Sequence, residues 1–196
     1  MRTLAAAALL LGAPAGARAQ SVQITPFAGY AFGGSVRDAV FDEERSFEAS
    51  LAYGGALTFP LGESWRFELL YSRQETELTG GLSAPIDATI ERYLAGIQEE
   101  KGEGNVHWFG TFWLGATRFV PGLSGYDAEI RFSGGVGLGV KSFFSKNVGL
   151  RLEARGFYTL VDSEGGTFCV NGDCLFVFSG SGLWQGDVSG GLIFAF

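Results

Sequence analysis

Basic residues, histidine and cysteine are all scarce in this chain. There are 14 Lys and Arg against 21 Asp and Glu, and no cluster of the basic ones, which argues against a nucleic-acid partner. His107 is the only histidine, and Cys169 and Cys174 are the only cysteines. The stretch "CVNGDC" does not have C-x-x-C spacing and no second ligand cluster exists, so neither a redox pair nor a metal site is expected. Beyond residue 19 no apolar run is long enough for a membrane helix. A glycine-rich linker would lack the aromatic residues that are abundant here.

The first residues indicate export. Met1-Arg2 gives a positive start, residues 4–13 form an apolar run, and Ala17-Arg18-Ala19 matches an A-x-A cleavage site before Gln20. Residues 1–19 therefore read as a signal peptide cleaved after Ala19, leaving 20–196 as one domain. No cysteine follows the cleavage site to carry a lipid anchor. Losing Arg2 and Arg18 leaves 12 basic against 21 acidic residues, a formal charge of −9.

What the chain does have is glycine (31), phenylalanine (18) and alternation. From Phe47 to Phe59 the odd positions are mostly apolar and the even ones small or polar, the period-two signature of a strand. The pattern recurs in segments 22–33, 47–59, 65–76, 89–99, 105–120, 129–143, 148–161 and 182–196, although 89–99 and 105–120 leave their inward faces unassigned. Short connections at 60–64, 100–104 and 144–147 alternate with longer polar ones at 34–46, 77–88, 121–128 and 162–181. This organisation predicts an all-β, eight-stranded, antiparallel up-and-down barrel, with short turns at one end and long loops at the other.

The polar face decides the solvent. It combines charges (Glu48, Arg66, Glu68, Glu129, Arg131, Lys141, Arg151, Glu153, Arg155 and Asp187) with Gly, Ala, Ser and Thr. A narrow eight-stranded lumen needs such small residues, whereas a watery exterior does not. The apolar face is nearly free of mid-strand charges, each of which would cost about 2–4 kcal/mol at a bilayer midplane. A transmembrane barrel follows. Its lumen charge network is expected from Arg66, Glu68, Glu129, Arg131, Lys141, Arg151, Glu153 and Arg155. Arg66, Glu68, Arg151, Glu153 and Arg155 are placed across the lumen between opposite walls, acting either as a plug or as a gate.

Ser189, Gly191, Phe194 and Phe196 have the spacing polar-x-Gly-x-x-aromatic-x-aromatic. This resembles the signal by which the barrel-assembly machinery of Gram-negative outer membranes recognises the last strand of a client. Through "ELLYSRQ", "LGATRF", "LRLEARGFYTLVDS" and "LWQGDVSGGLIFAF", residues 20–196 resemble the small eight-stranded outer-membrane β-barrels of the OmpA/OmpX type. The resemblance implies an outer-membrane location. It also implies contact with outer-membrane lipid and lipopolysaccharide, and dealings with periplasmic chaperones and the assembly machinery during biogenesis. A monomer is expected. Such barrels serve many roles, so the fold alone names no activity.

Other features carry narrower expectations. An Asn171-Gly172 turn would set Cys169 opposite Cys174, and in an oxidising compartment a disulfide is expected between them. Arg73, Arg92 and Arg118 are read as near the outer rim, as lipopolysaccharide contacts or as ordinary snorkelling side chains. Asp42-Glu43-Glu44 reads as a solvated loop or a divalent-cation bridge. Some barrels of this size modify lipid A, one with a Ser/His pair. No serine lies within a few residues of His107 on its strand, so His107 reads as a rim residue, and no catalytic residue is assigned. "GGVGLGV" (134–140) lacks the third glycine and the following helix of a dinucleotide loop, so no cofactor is expected. The leading expectation is a non-enzymatic membrane barrel with a structural or surface-interaction role. A narrow solute channel stands second and a lipid A-modifying enzyme third.

Overall fold

Alternation becomes structure wherever one face can turn to lipid and the other to a packed interior. The computed structural model describes residues 22–38, 43–79, 85–122, 127–160, 166–170, 173–177 and 182–196, with backbone only for 36–38, 43–45, 166–170 and 173–177. The elements in chain order are β1 (Gln23–Gly33), β2 (Ser35–Asp38), β3 (Glu43–Phe47), β4 (Ser50–Pro60), β5 (Trp65–Thr79), β6 (Ile86–Glu103), β7 (Val106–Pro121), β8 (Glu129–Phe143), β9 (Val148–Leu160), β10 (Gly166–Val170), β11 (Asp173–Val177) and β12 (Gly182–Ala195).

β1, β4, β5, β6, β7, β8, β9 and β12 pair in sequence order, and β12 returns to β1, so the antiparallel ring closes. Closure leaves no unpaired edge among these strands, the condition for crossing hydrocarbon with strands. Starting at Gln23 and following register partners through Thr58, Glu68, Gly96, Trp113, Gly135, Phe157 and Gln185 returns to β1 at Gly33. That offset is the shear of the barrel, and it tilts the strands by about 40°.

All eight predicted segments are present, with shifted ends. β6 runs longer than 89–99 because its turn to β7 is only Gly104-Asn105; Gly104 adopts φ +66, which a residue without Cβ accepts freely. The predicted segment 47–59 begins later, at Ser50, because Phe47 belongs to β3. Gly33 and Gly34, at φ +80 and +98, end β1 and start the β2–β3 hairpin, where the sequence pattern predicts only a long polar connection. β10 and β11 form a second hairpin with Cys169 opposite Cys174. The side chains of these cysteines and of Glu43 and Glu44 lie outside the described residues, as does Asp42; the backbone of Glu43-Glu44 belongs to β3 rather than to a loop.

Two aromatic girdles flank the outer wall. Tyr30, Phe32, Tyr53, Tyr93 and Trp184 are exposed toward the long-loop end, and Trp65, Trp108, Phe194 and Phe196 toward the short-turn end. Between them the wall presents residues such as Leu51, Leu57, Phe112, Leu114, Val136, Leu138, Leu152, Val188 and Leu192. On β6 the outward charges Glu91 and Glu99 are separated by about 20 Å along the barrel axis, close to the height of a transmembrane apolar belt. The exterior is thus apolar where the interior is polar.

Candidate functional site in the barrel lumen

Inward positions follow from the register, because partners across a ladder share a face. Near the short-turn end, Lys141 on β8 is fully buried and donates to Gln23 Oε1 (3.0 Å), Gln98 Oε1 (2.6 Å) and Glu100 Oε2 (2.8 Å). Every ammonium proton is used. Arg66 donates from Nε to the same Glu100 oxygen at 2.8 Å, and His107 Nδ1 lies 3.2 Å from Glu100 Oε1.

One layer further in, Glu68 on β5 and Arg151 on β9 meet across the lumen. Arg151 donates from Nη1 and Nη2 to the two carboxylate oxygens at 2.5 and 3.0 Å, and from Nε and Nη2 to Glu153 at 3.1 and 2.8 Å. Glu68 also accepts from Thr58 Oγ1 (3.1 Å), Gln98 Nε2 (3.3 Å) and Trp113 Nε1 (3.2 Å). Phe109 lies under Arg151, 4.5 Å from Cζ to the ring centroid. A buried ion pair is tolerated when its remaining donors and acceptors are satisfied, and here they are.

Above this pair an apolar belt of Ala56, Leu70, Leu94, Trp113 and Phe157 crosses the barrel, with Phe27 packed against it. Large rings fit because glycines face them. A Cβ on Gly137 would sit 2.4 Å from the Trp113 ring, and one on Gly139 2.4 Å from Phe109. Gly135, Gly137 and Gly139 of "GGVGLGV" are therefore hollows for lumen aromatics, whereas Gly134 lies on the outer face beside Leu114.

Beyond the belt, Arg155 donates from Nε to Asp187 (2.7 Å) and from Nη2 to Ser189 Oγ (2.8 Å), while Arg92 donates to Gln185 Oε1 (2.7 Å). Ser133, Thr117 and Thr159 link their hydroxyls nearby. Arg131 and Glu129 pair with each other toward the long-loop end, where Phe47 and Phe119 stack with ring centroids 6.1 Å apart. Arranged in this way, the interior holds buried charge in ion pairs; among the described residues no group of His, Cys, Asp and Glu is placed to bind a metal.

Every residue of the expected charge network faces inward, but the partners differ from expectation. Arg66 joins Glu100 and Lys141 rather than Glu68, and Arg155 mainly serves Asp187. Glu100 is missed because the predicted segment ends at 99, where acidic residues resemble a turn, and Gln98 because the inward face of 89–99 is unassigned. Trp113 was hidden by aromatics alternating on both faces of β7. Thr111 and Thr117, two apart and four apart from it, mark the inward parity. Glu48 is exposed rather than part of the interior.

The three rim arginines separate. Arg73 and Arg118 lie on the outer wall and converge on Glu91, at 3.2 and 2.8 Å. Tyr71 and Tyr93 donate to the same carboxylate at 3.4 and 3.3 Å. Arg92 points the other way: it is fully buried in the lumen and cannot touch lipopolysaccharide. Its neighbour Glu91 has the opposite parity, and parity on this strand is what the sequence left open. His107 sits at the lumen mouth near the short turns, edge-on to Phe143 and within 3.1 Å of the Gly104 carbonyl. Ser189, Gly191, Phe194 and Phe196 all lie on β12 or directly after it, with both phenylalanines exposed outward.

No family model matches this chain, and no curated protein matches it. Solved structures do. Neisserial surface protein A superposes with a TM-score of 0.65 at 15% identity, covering 89% of this chain and 97% of that one. Outer membrane protein AlkL, solved in lipid bilayers, gives 0.57 at 12% identity over 95% of each chain. At these identities the likeness concerns the fold, and it agrees with the closed ring, the apolar wall and the girdles: the chain has the fold of the small eight-stranded outer-membrane β-barrels.

Proposed function

We propose that this chain is an integral protein of the Gram-negative outer membrane with a structural or surface-interaction role, exported by residues 1–19 and presenting its long loops to the exterior. The observation that carries the reading is the lumen: Arg151 and Glu68 bridge opposite walls beneath a belt of Trp113, Phe157, Leu70 and Leu94. A barrel closed in this way offers its loops, not its bore, to partners. The similarity to a protein named as a surface protein supports the same reading. The Cys169–Cys174 pairing in the β10–β11 ladder supports a disulfide that stiffens the longest loop.

A second reading is a narrow channel gated by the same ion pairs. Residues 20–196 refolded into planar lipid bilayers, with folding verified by the mobility difference between unheated and boiled samples, distinguish the two. The expected result is no unitary conductance. Steady openings that change with Arg151→Ala would overturn the closed-lumen reading in favour of the gated channel.

A further inference from the structure

We infer that the lumen above the apolar belt binds one small monovalent inorganic anion of chloride's kind, held by an unpaired N–H of the Arg92 guanidinium. Arg92 is 1% exposed. One nitrogen, Nη2, is engaged by Gln185, and the ring of Phe157 lies 4.7 Å from Cζ. Nε and Nη1 have no partner within the protein. Arg92 enters none of the ion pairs formed among the described residues, while every other lumen cation has a carboxylate: Arg66 and Lys141 share Glu100, Arg151 has Glu68 and Glu153, Arg155 has Asp187, and Arg131 has Glu129.

Among the described side chains this leaves one positive charge in excess, and Arg92 is the cation with no carboxylate at ion-pair distance. A buried cation without a counter-charge is strongly unfavourable. Water can satisfy its N–H groups but cannot neutralise it. Further donors stand close in the fold. Ser72 is the register partner of Arg92, and its Oγ has no hydrogen-bond partner, nor has Gln185 Nε2 or Arg155 Nη1, the last lying 4.0 Å from Glu153 Oε2. Apolar side chains lie on both sides, Phe47, Phe119 and Leu183 above and Trp113 below, so the field of the guanidinium is little screened. The unpaired acceptors Asp187 Oδ2 and Gln74 Oε1 fit water bridging to the anion rather than the anion itself. A single excess charge matches a monovalent ion; a phosphate or sulfate would reverse the imbalance.

The site does not depend on whether the lumen conducts. The test uses the full barrel in detergent, prepared free of halide, and titrates sodium chloride or bromide against sodium gluconate at fixed ionic strength. Binding is read from the ³⁵Cl resonance linewidth, and the position from bromide anomalous diffraction. A saturable linewidth component, competed by bromide and lost in Arg92→Gln, is expected, with a bromide peak beside Arg92 Nε or Nη1. Should Arg92→Gln fail to fold, the bromide position in the unaltered protein decides. No saturable component, persistence of that component in folded Arg92→Gln, or a crystal with water alone at those nitrogens would each overturn the inference.

Discussion

Arg151 on β9 spans the lumen to place two guanidinium nitrogens on the two carboxylate oxygens of Glu68 on β5, four strands away around the ring. Each group is nearly or wholly removed from solvent, so neither can turn to water if the other is lost. Replacing Arg151 by Ala leaves Glu68 and Glu153 facing one another and should destabilise the barrel by about 3–5 kcal/mol. Urea unfolding in lipid vesicles reads this directly. The double change Arg151→Leu with Glu68→Leu should recover only part of the loss, since Glu153 then keeps Arg155 alone, at 4.0 Å.

Gly137 should resist enlargement. A Cβ there meets the Trp113 ring at 2.4 Å and Glu153 Oε1 at 2.9 Å. Gly137→Val should cost about 1–3 kcal/mol through overpacking. Pairing it with Trp113→Leu should regain part of that cost, and non-additive unfolding energies in the double variant would verify the contact.

Arg73 and Arg118 are partly exposed on the outer wall, whereas Arg92 is buried in the lumen, and on the proposed outer-membrane reading only the first two meet lipopolysaccharide phosphates. The double change Arg73→Ala with Arg118→Ala should reduce lipopolysaccharide retained through purification, and Arg92→Gln should leave it unchanged. Phosphate analysis of the purified protein compares the three. Equal retention in all of them would remove the outer-wall site.

Cys169 and Cys174 face each other across the β10–β11 ladder, and alkylation without reductant should add no mass to protein isolated from the envelope. Two added labels would exclude the disulfide. On a chain-entropy view so short a loop contributes only about 2 kcal/mol, so Cys169→Ser with Cys174→Ser should fold and assemble while loosening the loop tip.

The count of barrel strands, the alternation of short and long connections and the polarity of the two faces are legible in the sequence, while the two loop hairpins β2–β3 and β10–β11 are not. The legible features depend on period-two patterning, and a strand has only two faces to fill. The inward set on 65–76 and 148–161 was legible for the same reason, since Arg66, Glu68, Arg151, Glu153 and Arg155 share their parity with small and polar neighbours. Which cation meets which carboxylate was not. Pairing across a lumen depends on shear, and shear is a property of the closed ring that no single segment contains. β6 and β7 show the limit most clearly: Arg92 and Glu91 are adjacent in sequence, yet closure sends one into the interior without a counter-charge and the other to the lipid wall between two arginines. The sequence by itself determined that a barrel forms and which side faces lipid, because hydrophobic burial is local to each strand. Only the tertiary structure decided how the interior charges are shared out, because that follows from the stagger of eight strands around one axis.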